Sequence, residues 1–158
     1  MYETANSILQ SAQELRLSSE RFRQVGPGRW RDLLDKILTR FTSQGPLNRS
    51  RLWLWEDFIQ PTYTLQKEHT LETLLKLDEP AARVWLVFED WDRTKRDGNF
   101  WLFEGDLAAA VSVLNNLYGI EFYIVSQSLD WLVAENHHDV LIGVGPHAIQ
   151  ALKAMDAT

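Results

Sequence analysis

The chain of 158 residues contains no cysteine. Disulfide bonds and thiolate metal sites are therefore excluded, and nothing in the composition indicates an oxidising compartment. No apolar run approaches the roughly 18 residues that a membrane-spanning helix requires, and the first residues lack the basic and apolar regions of a secretion signal. We therefore expect a cytoplasmic protein that makes no membrane contact.

The motifs of nucleotide binding and of common catalytic sites are also missing. The chain has no P-loop, no G-x-S-x-G nucleophile elbow and no kinase signature. Gly143-Val-Gly145 precedes a predicted helix, but the rest of a dinucleotide-binding glycine pattern is absent and Pro146 removes one amide donor. The sequence predicts no cofactor.

Aromatic residues and acidic residues are what the chain has in quantity. Seven Trp and seven Phe predict an aromatic core and leave one or two tryptophans for a contact surface. Residues 1–60 carry nine Lys/Arg against seven Asp/Glu, whereas residues 61–158 carry seven against fifteen. The acidic second part argues against nucleic acid and favours a basic protein partner, although the same charge also suits a simple solvated surface.

Hydrophobic periodicity predicts helices first and strand pairs afterwards. Helices are expected over residues 6–17, 29–42, 69–77, 107–118 and 146–155, and extended segments over 62–66, 84–88, 100–103, 122–125, 131–134 and 140–144. Residues 52–59 fit a strand or a helix. The strand runs are apolar at consecutive positions, which indicates a sheet covered on both faces. We predict one α+β domain over residues 1–158, with N-terminal helices, one inserted helix and a C-terminal helix packed on a mainly antiparallel sheet of four to six strands.

The densest polar cluster between apolar runs is Glu135-Asn136-His137-His138-Asp139. It fits a connector in which Asn136 and Asp139 bond the backbone, a partner-contact surface, or an acid/base or metal site. Neighbouring side chains on a strand point to opposite faces, so the two histidines converge on one ligand only if the segment is a turn or a bulge. The helical i, i+4 spacing of a zinc motif is absent, and we predict no metal site here.

A second polar segment, between two predicted strands, contains Asp90-Trp91-Asp92. A calcium loop is excluded because basic residues stand where further oxygen ligands would be needed. An exposed tryptophan among charges is typical of a recognition loop. The predicted partner-binding residues are therefore Asp90, Trp91, Asp92, Glu135, Asn136, His137, His138 and Asp139.

Three segments carry a family resemblance: Val84-Trp-Leu, Phe100-Trp-Leu-Phe-Glu-Gly105 and Glu135-Asn-His-His-Asp-Val-Leu-Ile-Gly-Val-Gly145. Over roughly residues 50–150 the chain resembles a bacterial family of small, single-domain proteins of unknown function. In size and composition it also resembles immunity proteins of polymorphic toxin systems, which are small, acidic, cysteine-poor α+β domains that bind a toxin domain. This resemblance implies a non-enzymatic protein that neutralises a secreted toxin domain. The alternative is a small hydrolase or metal-dependent enzyme using residues 135–139.

Overall fold

The fold comes from a computed structural model that describes residues 3–50, 53–90, 98–117 and 120–158. Within these ranges the helices are α1 (Glu3–Glu14), α2 (Trp30–Phe41), α3 (Leu107–Asn115) and α4 (Pro146–Asp156). The strands are β1 (Phe22–Gln24), β2 (Thr62–Leu65), β3 (Arg83–Glu89), β4 (Phe100–Asp106), β5 (Phe122–Ser126), β6 (Leu132–Glu135) and β7 (Leu141–Val144). Short 3-10 helices cover Gly45–Ser50, Leu54–Asp57 and Leu71–Lys76.

The strands of the described chain form one antiparallel sheet in the order β1-β4-β3-β5-β6-β7-β2. The predicted α+β class is confirmed, but the sheet has seven strands rather than four to six. The additional strand is β1, which pairs with β4 at one edge. Its three residues are too few to show a periodicity, and among them only Phe22 is buried.

Helices cover both faces of the sheet, as the continuous apolar runs predicted. Along β3, Leu86 and Phe88 belong to a core cluster shared with α1, α3 and α4, whereas Trp85 and Val87 belong to a cluster shared with α2. The alternation follows from the period of two in a strand. Each large apolar side chain buried in this way contributes about 1.5–3 kcal/mol, so a strand buried on both faces is apolar at every position.

The elements closest to prediction have clear local signals. In α2 the buried residues recur on one side of the helix: Leu33, Leu34, Ile37, Leu38 and Phe41. Asp106 caps α3, because its carboxylate accepts the Ala109 amide at 2.7 Å. The helix expected over residues 69–77 is instead a short 3-10 helix, and the ambiguous segment 52–59 contains another.

The glycines before α4 serve packing and chain direction. A Cβ on Gly143 would lie 2.8 Å from Leu152 Cδ1, so the glycine lets α4 approach β7 closely. Gly145, with φ of 92°, forms the N-cap position of α4. These roles explain a Gly-x-Gly pattern at this position without any phosphate ligand.

Candidate functional site

The predicted polar cluster is a turn between β6 and β7. The Asn136 amide donates to Val140 O at 3.2 Å, and the Asn136 carboxamide accepts from the His138 amide at 2.9 Å. Asp139 has a φ of 57°, a left-handed conformation that aspartate tolerates well. Asn136 is buried, while His137, His138 and Asp139 are exposed. The turn therefore presents three of the five residues to solvent and uses Asn136 to hold its shape.

Glu135 lies on the other face of the sheet, next to His69. His69 Nδ1 lies 3.0 Å from Lys67 O, and His69 Nε2 lies 3.3 Å from Glu135 Oε2. A carbonyl only accepts, so Nδ1 carries a proton, and the Nε2 contact requires a second proton on one of its two members. Burial raises the pKa of Glu135, and the bond to His69 opposes that rise. Glu135 thus contacts His69 rather than His137 or His138, the two histidines next to it in the sequence.

A cavity of about 130 Å³ opens beside this carboxylate. Its apolar wall combines α3 and the start of β5, and its polar rim belongs to the turn after β6. The lining residues are Leu71, Leu114, Leu117, Ile120, Phe122, Glu135, Asn136, His137 and Asp139.

His137 is fixed by the carboxylate of Glu121, the residue before β5. Glu121 Oε1 accepts the His137 amide at 2.7 Å and the imidazole Nδ1 at 2.5 Å. The ring also contacts three aromatic rings, with centroids 5.8 Å from Trp53, 6.1 Å from Trp55 and 3.9 Å from His138. Because Nδ1 donates to the carboxylate, Nε2 is the acceptor of the neutral ring, and it makes no hydrogen bond to any described residue.

Glu89, the last residue of β3, lies near Glu121, the residue before β5. The pairing of β3 with β5 ends at Val87 and Tyr123, and Glu89 and Glu121 each lie two residues beyond that pair. Both side chains are buried, with 0% of Glu89 and 3% of Glu121 exposed. Burial raises the pKa of Glu89, and the charge of Glu121 raises it further, against hydrogen bonds from Tyr123 and two backbone amides.

The Glu89 carboxylate supports Trp53. Its Oε1 accepts the Trp53 amide at 2.8 Å, the Leu54 amide at 3.4 Å and the Tyr123 hydroxyl at 2.9 Å. Trp53 has a φ of 57°, which costs about 1–2 kcal/mol in a residue with a Cβ. Its side chain is nevertheless 40% exposed. The fold thus holds a large apolar ring at the surface in a strained backbone conformation.

These residues define the Trp53–His137 surface, which comprises the exposed residues Trp53, His137, His138 and Asp139. From the sequence, the last three are predicted partner-binding residues, which stays a prediction, whereas Trp53, Glu89 and Glu121 are not among the predicted residues. In the sequence each glutamate is only a polar residue at the boundary of an apolar run, a pattern that does not mark a site.

In the second predicted recognition segment, Asp90-Trp91-Asp92, the structure describes only Asp90. Asp90 is buried, and its Oδ1 accepts the Trp101 indole N–H at 3.0 Å. Asp90 therefore holds the end of the β3–β4 hairpin and offers no exposed surface to a partner. Trp91 and Asp92 lie outside the described residues.

Two further features, a cluster of metal ligands and a membrane-spanning helix, are absent from the described residues. Among the residues that the structure describes, no group of three or more His, Asp or Glu side chains could hold a metal ion. No helix within the described ranges has both the length and the apolar character needed to cross a bilayer.

The fold and site define a helix-covered, antiparallel α+β domain with an aromatic and histidine surface above two buried glutamates. The model of a family of unknown function, DUF6756, matches residues 2–156. The chain belongs to this family. No curated protein and no solved structure matches the chain.

Proposed function

We propose that this protein is a non-enzymatic binding module that acts in the cytoplasm as an immunity protein and neutralises a basic toxin domain. The observation that carries the proposal concerns Trp53, whose side chain is exposed. Its backbone is in a left-handed conformation, and its amide donates to the buried Glu89 carboxylate. Strain that the surrounding structure maintains is typical of functional sites. Tryptophan is also the residue most enriched among interface hot spots.

The neighbours of Trp53 suit a rigid contact. His137 is held by two bonds to Glu121, and its ring makes tilted contacts with the indoles of Trp53 and Trp55 and with His138. A preorganised aromatic patch loses little side-chain entropy when it binds, which favours affinity. The exposed carboxylate of Asp139 lies on the same turn.

Charge indicates the kind of partner. From Asn99 onward the chain has one basic residue, Lys153, against seven acidic residues. An acidic surface accelerates association with a basic protein and disfavours nucleic acid. We therefore expect a basic protein domain as the ligand, with Trp53 at the centre of the contact.

The test begins with retention of partners from the native host on the tagged protein, followed by purification of the retained protein. Its dissociation constant is then measured for Trp53→Ala, His138→Ala and Asp139→Asn. Trp53→Ala is expected to weaken binding about 30-fold or more, the loss expected at a hot spot.

The matched control is Leu9→Ala, because Leu9 is 37% exposed and lies on α1, on the other face of the sheet. It should leave the dissociation constant unchanged. Equal affinities for wild type, Trp53→Ala and Asp139→Asn would show that the contact lies elsewhere. Retention of no basic protein would contradict the proposed class.

The second candidate function is hydrolysis, and the Glu121–His137 pair favours it. A carboxylate that holds Nδ1–H leaves Nε2 available as a general base, as in acid/base dyads. The described residues around His137 include no nucleophile, so such an enzyme would activate water. Turnover of chromogenic ester or phosphoester substrates that is lost in both His137→Ala and Glu121→Gln would favour this function over the first.

A further inference from the structure

Glu89 and Glu121 each have one carboxylate oxygen without a partner. Both Oε1 atoms accept hydrogen bonds, whereas Glu89 Oε2 and Glu121 Oε2 are buried and have no partner in the described part of the chain. A buried acceptor without a donor costs about 1–3 kcal/mol, and more when it is charged. Two such atoms on facing residues therefore require an explanation.

Within the described ranges, the groups that hydrogen-bond the pair include no lysine or arginine. Glu89 meets the Tyr123 hydroxyl and the Trp53 and Leu54 amides, and Glu121 meets His137. Burial and the charge of Glu89 raise the pKa of Tyr123 well above its usual value, so this phenol remains a neutral donor.

Other titratable groups near this face are engaged elsewhere or exposed. On the 3-10 helix that carries Trp53, Asp57 accepts from the Gln44 amide at 2.9 Å and from Asn48 at 2.7 Å, and Glu56 is exposed. The His138 ring makes a tilted contact with the His137 ring. Asp90, next to Glu89 on β3, binds the indole of Trp101.

We propose that Glu89 and Glu121 share one proton between their Oε2 atoms, and that this proton keeps Trp53 and His137 in contact. A protonated Oε2 on Glu89 is a donor, and Oε2 of the Glu121 carboxylate is an acceptor, so one proton satisfies both atoms. Facing carboxyl groups that cannot both ionise behave in this way in other proteins. Glu121 remains the carboxylate because its Oε1 accepts two N–H donors.

The shared proton links the supports of the two surface residues. Glu89 holds the Trp53 backbone, and Glu121 holds the His137 backbone and ring. When the proton is lost, two buried carboxylates face each other, and their repulsion separates the two supports. The Trp53–His137 surface is therefore intact at acidic pH and loosens as pH rises. A regulatory role for this change rests on the proposed function, whereas the shared proton does not.

The direction of the pH dependence follows from Glu89. Burial and the charge of Glu121 raise its pKa above the ordinary value of 4.5. Its contribution to stability is then complete below that value and is lost as pH rises through the folded pKa.

The experiment is a carbon-13 NMR titration of the glutamate carboxyls in the isolated protein, combined with the nuclear Overhauser effect between the Trp53 and His137 rings. In wild type we expect Glu89 to titrate above 4.5 and the ring contact to weaken over the same pH interval. Glu89→Gln should keep the ring contact at every pH, because the carboxamide can donate to Glu121 permanently. Glu121→Gln should lower the pKa of Glu89, since it removes the neighbouring charge.

Glu104→Gln is the matched control. Glu104 is equally buried on the sheet but is paired with Arg23 and Arg29, and its replacement should leave the Glu89 titration unchanged. Titration of Glu89 at or below 4.5, or the same pH dependence of the ring contact in Glu89→Gln as in wild type, would overturn the proposal. Saturable shifts of both carboxyl signals on addition of Mg²⁺ or Ca²⁺ at neutral pH would also overturn it, because a metal ion would then replace the proton.

All of these measurements use the protein without a partner. Failure of the titration therefore leaves the proposed binding function standing. Conversely, a titration as expected in a protein that binds no basic domain would separate the shared proton from that function.

Discussion

The hydroxyl of Tyr123 donates to Glu89 Oε1 at 2.9 Å inside the sheet-facing core. The Tyr123 ring also packs edge-on against Phe58 and Phe100, with centroids 6.1 Å and 6.4 Å away. One residue thus combines apolar packing with a polar bond to a buried acid, and the two contributions can be separated by removing the hydroxyl alone.

Tyr123→Phe is expected to keep the ring packing and to destabilise the fold by about 1–2 kcal/mol, the usual effect of losing a bond to a buried acid. The Tyr123 bond lowers the pKa of Glu89 against the effect of burial, so the variant should raise that pKa further. The loss of stability should therefore be larger at about pH 8 than at about pH 4, where Glu89 is protonated. Urea unfolding at both pH values measures it, and an equal loss at both would contradict this account.

The stability that Glu104 contributes should have the opposite pH dependence. Burial raises its pKa, but hydrogen bonds from Arg23 and Arg29 outweigh that effect and the net pKa is lowered. The bonds of Glu104 to the two arginines contribute stability above the pKa that Glu104 has in the unfolded chain. This contribution is lost as pH falls through the pKa of Glu104 in the folded protein. Glu104→Gln should cost about 1–3 kcal/mol at neutral pH and little in acid. Guanidinium chloride would screen these charges, so urea unfolding is the measurement.

Local patterns identify those parts of the fold whose residues are near in sequence. The apolar stripe of α2, the Asp106 cap and the β3–β4 hairpin each depend on neighbouring positions. The strand β1 was missed because three residues carry no period. Its place in the sheet is instead set by pairing with β4, at a large separation in sequence.

The same reasoning explains the candidate site. The polar cluster at residues 135–139 could be identified from composition, but only the structure shows that His137, His138 and Asp139 are exposed. Glu89 and Glu121 could not be identified in this way, because each of them, taken alone in the sequence, is only a polar residue next to an apolar run. The two glutamates come near each other only because β3 pairs with β5, and no local pattern specifies which strands become neighbours.

Glu135→Gln is expected to stabilise the protein relative to wild type as pH rises. Burial raises the Glu135 pKa, so the stability associated with its protonated form is lost above the ordinary value of 4.5. The carboxamide has no such loss. His69→Gln should raise the Glu135 pKa further, because the bond to His69 opposes the effect of burial. Thermal unfolding at several pH values tests the first effect and carboxyl NMR the second. A Glu135 pKa that falls in His69→Gln would contradict the pairing.

Gly105→Ala tests the close approach of β1 to β4. A Cβ at Gly105 would lie 2.2 Å from Arg21 O, and a backbone carbonyl cannot move without disturbing the β1 pairing. We expect a loss of about 3 kcal/mol, at the upper end of overpacking effects, measured by urea unfolding. Gly28→Ala is the matched control, since nothing lies within 4 Å of its added Cβ. The entropy of the unfolded chain favours both alanine variants, so similar losses in both would mean that the contact with Arg21 O is not the cause.

Trp53 allows backbone strain and side-chain function to be measured separately. Its φ of 57° disfavours any residue with a Cβ, and glycine removes that penalty. Trp53→Gly should therefore be more stable than Trp53→Ala by about 1 kcal/mol, as measured by urea unfolding. Both variants lack the indole, so both should lose the same affinity for the basic partner. Equal stabilities would mean that the Glu89 bond does not impose the strained conformation, whereas binding retained in Trp53→Gly would remove the indole from the contact.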